Sequence, residues 1–293
     1  MAAVLKNDQI HMRDPFVLPV KERRCYYLFG TTDKDCWDSP GVGFDYYIGE
    51  DLCNWRGPFE AFRPGEGFWG EKNFWAPEVH RYKGRFFMCA TFYSQQRGRG
   101  TALLVSDSPG GPFEPWTDGP VTPRSWECLD GTLWVEQGQP WMVFCHEWVQ
   151  VGDGRMCAVR LSDDLRQAVG EPVELFRASQ PAWVEAYMHE GRKNFVNDGP
   201  FLWLGTDGEL FMIWSSFDKT GYAIGVARSK PGQVTGPWVQ QEQVLYAGDG
   251  GHGMIFETFE GDLKLALHRP NSTLLERPVF LDIVQERGNL RLK

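Results

Sequence analysis

Arg13-Asp14-Pro15-Phe16-Val17 is the stretch that decides the fold, because its order of carboxylate, small or kinking residue and apolar strand recurs along the chain. The later copies are, in order, Pro77-Glu78-Val79, Asp130-Gly131-Thr132-Leu133-Trp134, Asp198-Gly199-Pro200-Phe201-Leu202-Trp203 and the altered Gly251-His252-Gly253-Met254-Ile255-Phe256. The copies start at residues 14, 78, 130, 198 and 252, so roughly 50 to 70 residues separate successive units. The chain is therefore predicted to consist of five similar structural units.

Each unit contains about four short apolar or aromatic runs separated by turn signals, and hardly any stretch has a helical period. In the fourth unit, strands are expected at Pro200 to Leu204, Glu209 to Ser215 and Gly221 to Ser229. Repeats of this length and content predict an all-β, five-bladed β-propeller, with residues 1–293 forming a single domain. The last blade is expected to take its fourth strand from residues before Asp14. A β-sandwich is the alternative, but it does not explain the matched order of elements.

Composition restricts the class of partner. The 293 residues carry a formal net charge of -9, and no block of Lys and Arg offers the basic stripe that nucleic acid requires. No apolar run is long enough to cross a membrane, and the first residues lack a signal peptide's apolar segment. The protein is thus expected to be cytoplasmic, with secretion open for a trimmed chain. Seven Cys without CxxC spacing predict buried free thiols.

The first strand of every propeller blade lines the central channel, so five residues are expected to converge there. They are Asp14, Glu78, Asp130, Asp198 and His252. A cluster of acids is costly as pure structure, because like charges raise one another's pKa values. Glycoside hydrolysis needs such a cluster: one carboxylic acid protonates the leaving oxygen, and one carboxylate activates water or attacks the anomeric carbon. An uncharged carbohydrate is the expected ligand.

The ordered motifs resemble glycoside hydrolase family 43, the five-bladed arabinosidases and xylosidases, over essentially the whole chain. The segments that carry this resemblance are Arg13-Asp14-Pro15, Trp75-Ala76-Pro77-Glu78-Val79, the blade-start Asp130, Asp198-Gly199-Pro200, Gly251-His252-Gly253 and Glu50-Asp51-Leu52-Cys53-Asn54-Trp55. The resemblance implies an exo-acting, inverting glycoside hydrolase that releases terminal arabinofuranosyl or xylosyl groups from plant-type glycans or oligosaccharides.

The resemblance also implies roles for three acids. Asp14 would be the general base that deprotonates water, Asp130 would raise the pKa of the acid and position it, and Asp198 would be the general acid. The family usually has Glu at this last position, so Asp198 is a departure. Because Asp is one methylene shorter, Glu185 and Glu147 remain alternative proton donors.

The expected substrate contacts are Phe16, Trp75, Glu78, Trp134, His252 and Arg269, with Trp69 as a further stacking candidate. His252 is similar to a family histidine on the channel axis, which implies a structural Ca2+ near it; no other cofactor is expected. Glu147, in the His146-Glu147-Trp148 segment, is expected at the pocket's edge, and His189 in a loop.

Two other functions fit the same residues. The Asp in place of Glu at position 198 is consistent with a propeller that binds carbohydrate with impaired catalysis. A fructan-type propeller hydrolase also uses three acids, although the sequence lacks the acidic E-C-P motif of that type.

Overall fold

The computed structural model describes residues 3–286 and 288–293, and almost all of its regular structure is β-strand. Five antiparallel sheets are arranged as the blades of a propeller, and within the sheets successive strands are hydrogen-bonded neighbours, except that the first strand of the chain pairs with the fifth. The predicted all-β, five-bladed propeller is therefore confirmed, and the β-sandwich alternative was wrong.

The first three blades occupy the N-terminal half of the chain. Blade 1 contains β1 (Val4–Lys6), β2 (Arg13–Val20), β3 (Cys25–Thr31), β4 (Phe44–Gly49) and β5 (Asn54–Phe62). Blade 2 contains β6 (Lys72–Tyr82), β7 (Arg85–Ser94), β8 (Gly98–Ser106) and β9 (Glu114–Pro115). Blade 3 contains β10 (Cys128–Glu136), β11 (Gln139–His146), β12 (Arg155–Leu161) and β13 (Ala168–Arg177).

The remainder of the chain begins with a separate hairpin. Its strands are β14 (Tyr187–His189) and β15 (Arg192–Asn194). Blade 4 contains β16 (Asp198–Leu204), β17 (Leu210–Asp218), β18 (Gly221–Ser229) and β19 (Trp238–Gln240). Blade 5 contains β20 (Gly251–Glu257), β21 (Leu263–Arg269), β22 (Arg277–Glu286) and β23 (Asn289–Leu292). The helices are short: 3-10 turns at Asn7–Gln9 and Lys21–Arg23, and the single-turn helix α1 at Trp148–Val151.

The first strands of the blades form the inner ring. β2, β6, β10, β16 and β20 each contact the next one, and β20 contacts β2, so the ring is closed. Side chains at one end of these five strands consequently face a common axis, as the sequence repeats predicted.

Aromatic side chains fill the space between blades. Phe44 and Phe62 of blade 1 pack on Phe74 and Phe92 of blade 2, with ring centroids of the four inter-blade pairs 5.9 to 6.2 Å apart. All four rings are at most 2% exposed. Burial of each ring contributes about 2–3 kcal/mol, so contacts between blades account for part of the aromatic content of the sequence.

Each inner strand is bulged at the same place, and this bulge positions the residues at the channel entrance. Five residues there adopt a left-handed φ of 46° to 55°: Asp14, Ala76, Asp130, Gly199 and His252. The bulge lies, for example, between Arg13 and Phe16 in β2 and between Leu129 and Thr132 in β10. Left-handed backbone is unfavourable for residues other than Gly, so neighbouring contacts must compensate.

Side chains of the preceding blade supply that compensation. The hydroxyl oxygens of Thr31, Thr91 and Ser215 accept the backbone N–H of Ala76, Asp130 and His252, respectively, at 2.8 to 2.9 Å. His268 Nδ1 accepts the N–H of Asp14 at 3.1 Å. These bonds tie the first strands of blades 1, 2, 3 and 5 to the previous blade.

The bulges also correct the predicted alignment of the units. Asp14, Asp130 and His252 are structurally equivalent, but Glu78 lies two residues after its blade's equivalent position, Ala76. Asp198 lies one residue before its equivalent position, Gly199. Equating Glu78 and Asp198 with the other three was therefore wrong, because a bulge adds a residue to one strand and changes the register of the residues beside it.

The predicted closure of the ring by an N-terminal strand was wrong. β1 pairs with β5 and extends blade 1, whereas β23, at the end of the chain, completes blade 5. Blades 1 and 5 are instead joined by side chains, in particular by an ion pair between Arg13 and the fully buried Glu276, with Nη1 and Oε1 2.6 Å apart.

All seven Cys are free, and only Cys53 is exposed, which agrees with the predicted free thiols. None of the described helices has the length and apolarity to cross a membrane.

Candidate active site

A cavity of about 490 Å3 opens at the entrance of the channel. Asp14 from β2, Asp130 from β10, Asp198 from β16 and His252 from β20 all line it. Four of the five blades thus contribute a titratable side chain, and the structure brings together the three acids predicted to be catalytic.

Asp14 is held in its ionised form. Its Oδ2 accepts a hydrogen bond from Thr31 Oγ1 at 2.6 Å, and its Oδ1 lies 3.2 Å from His252 Nδ1. Burial acts to raise the pKa of Asp14, but the charges of His252 and Arg13 and the Thr31 hydrogen bond outweigh it and lower the pKa below its usual value. Asp14 is therefore a carboxylate at neutral pH.

Asp130 lies between His252 and the backbone beside Asp198. Its Oδ2 accepts the N–H of Gly199 at 2.9 Å and lies 3.5 Å from His252 Nδ1. Burial is the main cause that raises the pKa of Asp130 to about 6, and the negative charge of Asp14 adds to it. By accepting this hydrogen bond, Asp130 holds Gly199, the residue that follows Asp198, in place.

Asp198 is the most weakly acidic of the three carboxyl groups. The Tyr222 hydroxyl donates to its Oδ2 at 2.9 Å. Burial, followed by the charge of Asp130, raises the pKa of Asp198 to about 7. Asp198 keeps some exposure through the cavity, whereas Asp14 and Asp130 are each only 8% exposed. A carboxylic acid that is largely protonated below pH 7 and open to the cavity can donate a proton.

His252 lies between the acids, with Nδ1 near both Asp14 and Asp130. Burial disfavours its charged form, but Asp14, Asp130 and Asp198 together raise the pKa of His252 above its usual value. No cluster of three or more His, Cys, Asp or Glu within the described residues has a metal-binding arrangement. A calcium ion takes six to eight oxygen ligands, of which water can supply several, so the structural Ca2+ expected near His252 stays a prediction.

Trp75 and Glu147, which the sequence places near the pocket, both line the cavity. The Trp75 indole donates to the carbonyl of Cys36 at 2.6 Å, and the Arg99 guanidinium lies 4.9 Å from its ring centroid. Arg99 also forms an ion pair with the buried Glu147. Trp75, Arg99 and Glu147 together line the cavity on the side of blades 2 and 3.

Several predicted contacts lie outside the cavity lining. Phe16 is 5% exposed and packs on Phe201 and His80, and Glu78 bonds His80 with Oε2 and Nε2 2.9 Å apart. The other predicted residues outside the lining are Trp69, Trp134, Glu185 and Arg269. Trp134 packs in the core between blades 3 and 4, while Glu185 and Arg269 are exposed. The predicted sugar contacts at Phe16, Glu78, Trp134 and Arg269 are therefore not supported by position.

The structure adds cavity residues that the sequence did not reveal. They include Arg13, Trp37, Arg99, Tyr187, Phe217, Tyr222 and Asn271. Arg13 was recognisable as the neighbour of Asp14 in the repeated motif. Tyr222 carried no such signal, because it lies in β18, two strands away from Asp198.

The chemical requirements of sugar hydrolysis are thus present on a propeller: an ionised carboxylate and a protonated carboxylic acid face one cavity. The sequence model of Glycosyl hydrolases family 43 matches residues 8–288. The chain belongs to this family, as its motifs predicted, and is a glycoside hydrolase whose substrates are carbohydrates.

Solved structures support the same assignment. The endo-arabinase of Bacteroides thetaiotaomicron VPI-5482 is 40% identical, with a TM-score of 0.90 over 97% of this chain and 98% of that one. An endo-1,4-beta-xylanase of the same organism is 23% identical, with a TM-score of 0.80 over 99% and 97% of the two chains. The alpha-L-arabinofuranosidase of Lactobacillus brevis is 16% identical, with a TM-score of 0.74 over 97% and 93%. The last two show likeness of fold alone. No curated protein matches significantly in sequence.

The hydrogen bond from Tyr222 to Asp198 predicts a change in pH dependence. This bond lowers the pKa of Asp198 against the effects of burial and Asp130, so Tyr222→Phe should raise that pKa further. For an enzyme that uses Asp198 as its general acid, the alkaline limb of kcat/KM should then move to higher pH by about half a unit to one unit. A pH–rate profile of both proteins measures the shift, and an unchanged or lower alkaline limb would contradict the assignment of this limb to Asp198.

Proposed function

We propose that the protein is an exo-acting, inverting hydrolase that releases terminal pentosyl groups, with arabinofuranosyl preferred over xylosyl. The observation that carries the proposal is the opposed ionisation of two acids at one cavity. Asp14 is kept ionised, and the pKa of Asp198 is raised to about 7. Single-displacement glycoside hydrolysis requires an ionised base and a protonated acid at the same pH. The two carboxyl groups meet this requirement near neutral pH.

In the proposed mechanism, Asp14 takes a proton from water as the water attacks the anomeric carbon. Asp198 gives its proton to the leaving oxygen at the same time. Asp130 holds the Gly199 N–H and, by its charge, helps to keep Asp198 protonated. Inversion requires room for a water molecule, so we expect the carboxyl groups of Asp14 and Asp198 to be separated by about 6.5 to 9.5 Å.

Local structure compensates for the shorter side chain of Asp198. A Cβ atom on Gly199 would lie 2.8 Å from the His252 ring, so the backbone beside Asp198 approaches the axis more closely than another residue would allow. Likewise, a Cβ on Gly251 would lie 2.4 Å from the Tyr222 ring, so Gly251 gives Tyr222 the space to reach Asp198. Together these contacts favour Asp198 as the acid.

Glu147 is the less suitable proton donor. Burial raises its pKa, but its carboxylate is in direct contact with the guanidinium of Arg99. Loss of the negative charge would leave Arg99 without its buried partner, which is costly. Glu147 is accordingly assigned to the cavity wall as an ionised partner of Arg99, and the exposed Glu185 is not assigned to the site.

The shape of the cavity favours attack at chain ends. All five blades contribute to its lining, with Trp37 from blade 1, Trp75 from blade 2, Trp148 from blade 3, Phe217 from blade 4 and Thr273 from blade 5. A pocket at the centre of the propeller with residues of all five blades around it can hold a terminal sugar, which supports the exo candidate. Arabinofuranosyl is preferred because the 40% identical structure bears the name endo-arabinase.

That same name supports a second candidate, internal cleavage of arabinan. Both candidates agree with the match to family 43, which favours them over the fructan-type alternative. The binding-only alternative differs from both because it predicts no product at all.

Product analysis separates the candidates. With linear arabino-oligosaccharides labelled at the reducing end, an exo enzyme should release monosaccharide from the first minutes and shorten the labelled chain by one unit at a time. An equimolar mixture of short internal fragments would instead support the endo candidate. Proton NMR of the first product is expected to show inverted anomeric configuration. Xylo-oligosaccharides of equal length serve as the matched substrate, and equal or faster release from them would contradict the preference for arabinofuranosyl.

A further inference from the structure

Four aromatic rings form a continuous wall on one side of the cavity. We define this aromatic wall as Trp148 in α1, Tyr187 and His189 in β14, and Phe217 in β17. Tyr187 stacks on Phe217 with centroids 5.2 Å apart and planes inclined by 15°. Trp148 meets the edges of Tyr187 and His189 at centroid distances of 5.5 and 5.4 Å.

The aromatic wall is not part of the buried cores of the blades. None of its four residues belongs to the hydrophobic clusters that hold the described blades together. Tyr187 is 39% exposed although it is a large aromatic residue. Exposed aromatic groups that line a cavity are typical of ligand-binding surfaces, so a structural role alone does not explain the wall.

The wall is supported by backbone contacts between the connection that contains α1, in blade 3, and the separate hairpin of β14 and β15. The Phe195 N–H, just after β15, donates to the carbonyl of Gly152, just after α1, at 2.8 Å. The Gly154 N–H in turn donates to the carbonyl of Phe195 at 2.9 Å. Trp148 and the hairpin that carries Tyr187 are therefore braced against each other before any ligand binds.

The wall lies on the side of the proposed acid. The Phe217 ring lies 5.4 Å from the ring of Tyr222, whose hydroxyl donates to Asp198. The cavity residues beside Asp14 are different: Arg13 binds Asn271 through Nη2 at 3.0 Å and lies 5.0 Å from the Trp37 ring centroid. Because the acid protonates the leaving oxygen, the leaving part of the substrate must lie on the side of Asp198.

We propose that the aromatic wall binds the first sugar of the leaving chain. Pentose rings present apolar C–H faces, and flat aromatic side chains provide matching surfaces at small cost in side-chain entropy. The wall would thereby select oligosaccharides over glycosides with small leaving groups. This inference rests on the proposed function, since it requires Asp198 to be the proton donor.

The test compares substrates with and without a leaving sugar. Tyr187→Ala and Trp148→Ala should each lower kcat/KM on arabinotriose by about 10- to 50-fold, because the leaving sugar loses an aromatic contact. Hydrolysis of α-L-arabinofuranosyl fluoride, which has no leaving sugar, should change by less than about 3-fold. Tyr187→Phe keeps the ring and should retain most of the activity on arabinotriose.

Met188→Ala is the matched control. Met188 lies between Tyr187 and His189 in the same strand, is 58% exposed and is outside the cavity lining, so its side chain points to the other face. It should behave like the wild-type protein on both substrates.

The outcomes separate this inference from the proposed function. Equal losses on arabinotriose and on the fluoride, or no loss on either, would overturn the assignment of the aromatic wall while leaving the hydrolase proposal intact. A wild-type protein that hydrolyses neither substrate would overturn both.

Discussion

Asp198→Asn is expected to lower kcat/KM on arabino-oligosaccharides by about 10³-fold, because Asn cannot donate the proton that the sugar leaving group needs. On 4-nitrophenyl α-L-arabinofuranoside the loss should be about 10-fold or less, since nitrophenolate leaves without protonation. The alkaline limb of the pH–rate profile on the nitrophenyl substrate should also disappear. Steady-state kinetics on both substrates measure this dependence on the leaving group, which is the signature of a missing general acid.

Glu147→Gln is the control for the identity of the acid. If Glu147 were the donor, its variant would show the dependence on leaving group and Asp198→Asn would not. Glu114→Gln, an exposed position on the outer strand of blade 2, should be neutral on both substrates.

Thermal unfolding shows whether the Asp198→Asn protein is folded. The pKa of Asp198 is raised to about 7 in the folded protein, so the folded state binds this proton more tightly than the unfolded chain does. Stability that depends on this group is therefore lost as pH rises from about 4 to about 7. Above pH 7 the variant lacks that buried charge and should unfold at an equal or higher temperature than the wild-type protein.

The fold could be predicted from sequence because every blade repeats the same local signals. The carboxylate or histidine, the turn and the aromatic strand recur in order, and they locate Asp14, Asp130 and His252 at equivalent places. The positions of Glu78 and Asp198 were misjudged by one or two residues. A bulge changes the register of a strand, and no residue type marks it in the sequence. Ala76 and Gly199, for example, adopt the same left-handed backbone conformation in their strands.

The part of the site that could not be predicted from the sequence depends on contacts between strands that are distant in the chain. Tyr222 reaches Asp198 from two strands away, and Arg99 reaches Glu147 from another blade. The pairing of β1 with β5 follows from three-dimensional packing and not from the repeat. The aromatic wall lies mostly in insertions around blades 3 and 4, where the repeated pattern gives no guide to position.

Asp14→Asn is expected to lower kcat/KM by about 10³-fold or more on both the oligosaccharide and the nitrophenyl substrate, because activation of water is needed whatever the leaving group. Asn keeps an oxygen that can accept the Thr31 hydroxyl, so the geometry of β2 should persist while the negative charge facing His252 is lost. Asp8→Asn, an exposed change in the preceding segment, is the matched control and should retain wild-type rates.

A small anionic nucleophile tests whether Asp14 acts on water. Azide needs no deprotonation, so sodium azide should restore part of the activity of Asp14→Asn on the nitrophenyl substrate and yield a glycosyl azide of inverted configuration. Loss of a nucleophilic carboxylate would give the same inverted azide, so the wild-type product decides between the two roles: an inverted sugar indicates that Asp14 is a base, and a retained sugar would indicate a covalent intermediate. A loss confined to the oligosaccharide would instead assign Asp14 to proton donation, which would exchange its role with that of Asp198.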